Sequence, residues 1–177
     1  MSIIVPHEWK SLLYTDPSSL LVNLRQIQHS YPLESLRYAA SSLRNHELRI
    51  FGEGRQAALF CYGIGHALGT KVSFAQAENQ DYDIIIRYKL NDQLYFAPVQ
   101  LKEWVPETVN SQATLQTELN KLKKYVDSKD LIVAFYLNRD TQLHFSELSF
   151  PKVQLGELWF SAQSTPHKQN GWLQEIF

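Results

Sequence analysis

The chain has little cysteine, no basic excess and no long apolar run, and each shortage narrows what it can be. Its one cysteine, Cys61, excludes an internal disulfide and a multi-cysteine zinc site. No stretch approaches the roughly 18 apolar residues that a membrane span requires. The opening segment, MSIIVPHEWK, lacks a basic region followed by a long apolar one, so no signal peptide is expected. A reducing compartment, most simply the cytoplasm, is the expected location. Lysine and arginine number 17 against 18 aspartate and glutamate, a net charge of −1. Dedicated DNA-binding proteins usually carry a basic excess, so contact with nucleic acid would need charge gathered on one face. Repeats, low-complexity tracts and linker-like segments are also missing, which favours one unit.

What is present is ordinary globular composition: 177 residues, 44% hydrophobic and 20% charged, enough to bury a core. Asp16 suits a helix cap and Pro17 a first helical turn, with Leu20, Leu21, Leu24 and Ile27 on one face. A second helix is expected after Pro32, with Leu33, Leu36, Ala40 and Leu43 as its stripe. A third runs from about Glu53 to Leu68, burying Ala57, Ala58, Phe60, Cys61, Ile64 and Leu68 and stopping at Gly69. The period then changes. TKVSFAQA, DYDIIIRYKL and QLYFAPVQLKEW read as three strands, the last two joined by a turn at Asn91-Asp92. A helical pattern returns from about Asn110 to Val126, carried by Leu115, Leu119, Leu122 and Val126. DLIVAFYLN then reads as a strand covered on both faces. QLHFSEL and GELWFSAQ look like weaker strands, and a short segment surrounds Trp172. The expected class is α/β, a central mixed β-sheet flanked by helices. Residues 1–50 form an N-terminal helical extension, 51–140 a core, and 141–177 C-terminal strands and tail.

A two-residue turn at Asn91-Asp92 sets a register. With Leu90 facing Gln93, Asp83 faces Gln100 and Asp81 faces Lys102, all four on one face of the hairpin. A bulge at Pro98 would shift this by one residue.

In this order of elements the chain resembles the PD-(D/E)xK, or restriction-endonuclease-like, nuclease superfamily over roughly residues 52 to 137. Glu53 matches the helix position, Asp83 in QDYDIII the strand aspartate, and Gln100-Leu101-Lys102 in APVQLKEW the last motif. Two positions depart from the pattern. Tyr82 stands where the family has proline, and Gln100 where it has Asp or Glu; the Q-x-K form is similar to some branches that remain nucleases. The resemblance implies a restriction-endonuclease-like core that hydrolyses phosphodiester bonds in DNA with Mg²⁺ or Mn²⁺. Asp83, Gln100, the Leu101 carbonyl and Glu53 would be metal ligands, all of them oxygen donors. Lys102 would position water and stabilise charge on the phosphate. With a neutral amide at Gln100, more of the charge falls to Glu53 or Asp81, while Glu103 points to the opposite face. DNA is the implied partner, a homodimer or protein partner stays open, and no membrane is involved. The alternative is a nuclease-like fold without catalysis, acting as a binding or protein-interaction module.

Each residue also has a plainer reading. Asp83 could serve the preceding turn, Lys102 could be a solvated edge lysine, and Gln100 an ordinary surface residue. Glu53 suits the positive end of a helix dipole. Lys121, Lys123 and Lys124 are either DNA-backbone contacts or simply a solvated helix face. His66 and the other histidines lack ligand spacing, and Cys61 should be buried and inert. The aromatics Trp159, Phe160, Trp172 and Phe177 are expected in the core or an interface.

Overall fold

The computed structural model describes residues 5–30, 49–77, 81–162 and 172–174, the backbone alone at 28–30, 49–50 and 172–174. Six strands lie in one mixed sheet in the order β1-β2-β3-β4-β5-β6, and the class is α/β as expected. They are β1 (Val72–Gln76), β2 (Ile84–Leu90), β3 (Gln93–Trp104), β4 (Ser128–Leu137), β5 (Leu155–Ala162) and β6 (Trp172–Gln174). Two compact units divide the chain at Pro98/Val99, inside β3. The expected helix after Pro32 lies outside the described residues.

In the first unit, a short helix α1 (His7–Ser11) that the sequence pattern did not suggest precedes α2 (Pro17–Ser30). The Asp-Pro start of α2 works as its residue types dictate. Asp16 Oδ1 accepts the Ser19 N–H at 2.8 Å, which holds its carboxyl below the usual range. Leu24 on this helix is buried, whereas Ile27 is exposed. Helix α3 (Arg49–Leu68) packs against α2 and β1, with Ala57, Ala58, Phe60, Cys61 and Ile64 buried; Leu68 is only half-buried. It begins four residues before the expected Glu53. It ends where Gly69 takes φ +64, the left-handed conformation that glycine adopts without a Cβ penalty. The Gly69 N–H then donates to His66 and the Thr70 N–H to Gly65, closing the last turn. Burial pushes the Cys61 thiol up, so it is the inert core cysteine expected.

Strands β1 and β2 pair antiparallel, with Val72 opposite Tyr88 and Gln76 opposite Ile84. Thr15 exchanges two backbone hydrogen bonds with Phe74, at 2.7 and 3.1 Å, and so adds a bridge to the β1 edge. Asn91 and Asp92, between β2 and β3, both have positive φ (50 and 62). That pair of values is what a tight two-residue hairpin demands, and Asn and Asp tolerate it best after glycine.

In the second unit, β3 and β5 both run parallel to β4, and β6 is antiparallel to β5. Strand β4 is buried from Leu131 through Tyr136, the double coverage that its unbroken apolar run implies. The helix between β3 and β4 is shorter than the sequence pattern suggests. Asn110 Oδ1 accepts the Gln112 N–H in a local turn that competes with helix, and Thr114 is the true cap, accepting the Thr117 N–H at 3.0 Å. Helix α4 therefore spans Leu115–Asn120 and tightens into a 3-10 turn at Lys121–Lys124. Tightening changes the spacing from four to three. Leu115, Leu119 and Leu122 are buried as expected, but Tyr125 turns inward after them and Val126 is 75% exposed. QLHFSEL is not a strand; it holds a 3-10 turn at Phe145–Glu147, and Phe145 and Phe150 instead cover the Phe160 ring edge-on. Trp159 and Phe160 belong to the core.

The β4–β5 register shifts between the pairs Ser128–Leu155 and Ile132–Glu157, and Gly156 sits at that irregularity. A Cβ there would lie 2.7 Å from the Lys129 carbonyl and 3.1 Å from that of Leu131. Both neighbours are backbone and cannot swing aside. Gly156→Ala should therefore destabilise the protein by about 2 kcal/mol in urea unfolding, an overpacking cost.

Candidate functional site

Glu53, Asp81 and Asp83 belong to the first unit; Gln100, Leu101 and Lys102 belong to the second. Asp83 immediately precedes β2. Its carbonyl accepts the Ala77 N–H at 3.1 Å, extending the β1–β2 ladder by one residue, so its backbone is held while its side chain is exposed. Asp81 is exposed too, and Tyr82 between them is half-buried. The Trp9 indole N–H donates to the Tyr82 hydroxyl at 3.3 Å, with the rings edge-to-face at 6.0 Å. Tyr82 thus anchors α1 beside the two aspartates.

Glu53 is exposed on α3. Because the helix starts at Arg49, Glu53 is past the first turn, and α3 has no acidic residue in that turn. Its dipole role is therefore overturned, since that effect fades within one turn. In the same unit, Tyr14 donates to the Trp9 carbonyl at 2.7 Å and the Arg87 guanidinium lies 4.1 Å from its ring centroid. Burial pushes the Tyr14 hydroxyl up to about 12 from 10.0, with Arg87 opposing. Unfolded Tyr14 ionises first as pH rises, so its contribution is whole below pH 10 and is lost as pH climbs toward 12. Urea midpoints across that window should fall more for the native protein than for Tyr14→Phe.

Gln100 is 9% exposed, and Tyr125 is 7% exposed. The Tyr125 hydroxyl donates to Gln100 Oε1 at 3.3 Å. Gln100 is therefore no surface residue. Tyr125 follows the 3-10 turn, its N–H donating to the Leu122 carbonyl at 2.9 Å, and the Lys124 ammonium lies 4.9 Å from its ring centroid. Lys102 is half-buried and registers with Phe135 of β4. Half-burial sets Lys102 apart from a fully solvated edge lysine. Leu101 pairs with Ala134, and alternation puts its side chain with Glu103, away from Gln100 and Lys102. Glu103 accepts from the Asn138 amide at 2.8 Å.

Of the three lysines, Lys121 is ion-paired to Glu118 at 2.7 Å, and Lys123 and Lys124 are exposed. Sequence reasoning missed Tyr125, although it stands three residues after Leu122 in a stripe that had been spaced by three and four. It also missed Arg139, which ties down the segment after β3 by donating to the carbonyls of Val105, Asn110 and Ala113.

Among the described residues, no three His, Cys, Asp or Glu side chains lie together as a metal group. The donors offered by Asp83, Gln100, Leu101 and Glu53 are all oxygens and fit a hard divalent cation in kind. The Gln100 oxygen already accepts from the Tyr125 hydroxyl. Comparison with protein-family models, with curated proteins and with solved structures gives no match.

No helix among the described residues is long and apolar enough to cross a membrane.

Proposed function

We propose that the chain is a metal-dependent nuclease with a restriction-endonuclease-like core, hydrolysing phosphodiester bonds in DNA. One observation carries the reading: a helix bearing Glu53, a strand, a strand opened by Asp83, a strand bearing Gln100-Leu101-Lys102, then a helix and a strand. Asp83, Gln100, the Leu101 carbonyl and Glu53 are the proposed holders of Mg²⁺ or Mn²⁺. The ion would polarise the phosphoryl oxygen. Lys102 would hold the attacking water by donating to it, and would stabilise negative charge on the phosphate. Lys123 and Lys124 are offered as backbone contacts for DNA.

A second reading has its own observation. Gln100 is neutral, buried and hydrogen-bonded to Tyr125, the usual condition of a structural polar pair. On that reading the fold binds DNA, a protein or a second copy without cleaving. Calorimetric titration with Mn²⁺ and plasmid nicking separate the two. The nuclease reading expects Mn²⁺ binding and nicking, both lost in Asp83→Ala. Neither binding nor nicking by the native protein would leave the second.

A further inference from the structure

We infer that one face of the sheet in the first unit is a docking surface for single-stranded DNA. Arg87, Lys89 and Lys71 meet its phosphates, and Phe96 and Leu94 its bases. The chain as a whole has no basic excess, so contact with DNA needs cations gathered on one face. They gather here. The Arg87 guanidinium lies 4.1 Å from the Tyr14 ring centroid, and the Tyr14 ring meets Phe96 edge-on at 6.1 Å. Arg87 of β2 and Phe96 of β3 therefore share one side of the sheet. Tyr88 and Tyr95 stack at 5.4 Å, and alternation places them on the other side. Two residues along each strand from Arg87 and Phe96 come Lys89 and Leu94, on the first side again. Lys71 joins them, since Ser73 pairs with Arg87 and Lys71 stands two residues before Ser73. The Thr70 hydroxyl donates to the Lys89 carbonyl at 2.8 Å and holds this end of β1 beside Lys89.

Two lanes result. Strand β2 carries cations two residues apart, and β3 beside it carries apolar side chains, Leu94 being 51% exposed and Phe96 half-buried. Neighbouring strands are only about 4.8 Å apart. An unpaired DNA strand has the same division, phosphates along one side and open base faces along the other, whereas a duplex hides its base faces. Arg87 is preorganised for a phosphate. The Tyr14 ring holds its planar fork, and the Tyr14 hydroxyl is itself held by the Trp9 carbonyl at 2.7 Å. Two carboxylates stand against the cations: Asp92, ion-paired to Lys89 at 2.9 Å, and Asp16, within the field of Lys71. The Lys89–Asp92 pair is solvent-exposed, the kind that contributes little and gives way to a phosphate. Asp16 is committed to the Ser19 N–H. The surface lies within the first unit and concerns binding alone, so it stands apart from the metal-site reading.

The test is fluorescence anisotropy of a labelled oligothymidylate with the full chain, at low salt and in EDTA. Log K should fall against log[salt] with a slope of about −2, since each phosphate neutralised on a single strand contributes about −0.7. Lys89→Ala and Arg87→Ala should each weaken binding about 5-fold at about 0.1 M salt and flatten the slope by about 0.7. Phe96→Leu should weaken it about 5-fold through lost base stacking. Asp92→Asn should tighten it about 2-fold, because the carboxylate competing for Lys89 is gone. Asparagine tolerates the positive φ at that position, so the turn survives. Lys152→Ala, at an exposed lysine of the second unit, should change neither affinity nor slope. Lys89 and Asp92 are both exposed, so their variants test the surface even where Arg87→Ala or Phe96→Leu does not fold. No binding by the native protein would overturn the inference. So would equal losses in Lys89→Ala and Lys152→Ala, or a duplex that competes as well as unlabelled oligothymidylate. Binding with the expected variant effects but no nicking in Mg²⁺ would uphold this surface and remove the nuclease reading instead.

Discussion

Lys102→Ala should lower Mg²⁺-dependent nicking of plasmid DNA by about 100-fold or more, the scale of removing one preorganised donor, while leaving Mn²⁺ affinity nearly unchanged. Asp83→Ala should lose both. The difference follows from the chemistry of the two groups. An ammonium donates only and cannot ligate a cation, so its removal spares the metal. Asp83 and Glu53 are the two charged oxygen donors of the proposed set, so removing Asp83 takes away half of the charge that attracts the ion. Lys102 is also half-buried, where a fixed charge acts through less water than on an open surface. Lys102→Arg should not rescue, because a planar fork replaces a compact point charge. Nicking that survives Lys102→Ala at full rate would remove lysine from the reaction. Nicking that also survives Asp83→Ala would point to a contaminating enzyme.

How much of this was legible in the sequence depends on how local the signal is. The Asp16-Pro17 start, the Gly69 stop and the Asn91-Asp92 turn were readable because two or three residues dictate the backbone there. Strand β4 was readable because parallel pairing on both sides requires an unbroken apolar run. Two features failed for a shared reason, a pattern that mixes two readings. Val126 fits a strict helical stripe, but the 3-10 turn at Lys121–Lys124 resets the count, and that turn is fixed by packing of Leu122 and Tyr125. QLHFSEL alternates like a strand, yet its Phe145 is drawn onto Phe160, a contact fifteen residues along the chain. In the candidate site the sequence supplied the residue types Asp83, Gln100 and Lys102. It could not supply Tyr125, because a partner twenty-five residues from Gln100 leaves no local mark. Nor could it show that Tyr82 is an anchor for Trp9, seventy-three residues away.

Arg139→Ala should destabilise the protein by about 3 kcal/mol in urea unfolding, from charge-assisted hydrogen bonds lost at partly buried carbonyls. The guanidinium fans across three of them: Val105 at 3.2 Å, Ala113 at 2.8 Å, and Asn110. It also lies 5.0 Å from the Trp104 ring centroid, while the Trp104 indole donates to the same Ala113 carbonyl at 3.0 Å. Residues 105 to 114 have no helix or strand of their own, so these donors add to the local turns at Pro106 and Asn110 in holding the segment between β3 and α4. Arg139→Lys should recover less than half of the loss, since one ammonium cannot span three divergent acceptors. Hydrogen exchange gives the local readout. Amides of residues 107 to 114 should exchange faster in Arg139→Ala, while those of β4 should change only by the global loss in stability. The segment begins one residue after Trp104 and three after Lys102. If the nuclease reading holds, a loosened segment should slow nicking without weakening Mn²⁺ binding, because Arg139 is tied to Val105, Asn110 and Ala113 and not to the proposed ligands. Uniformly accelerated exchange across the whole second unit would show instead that Arg139 supports the core and not this segment.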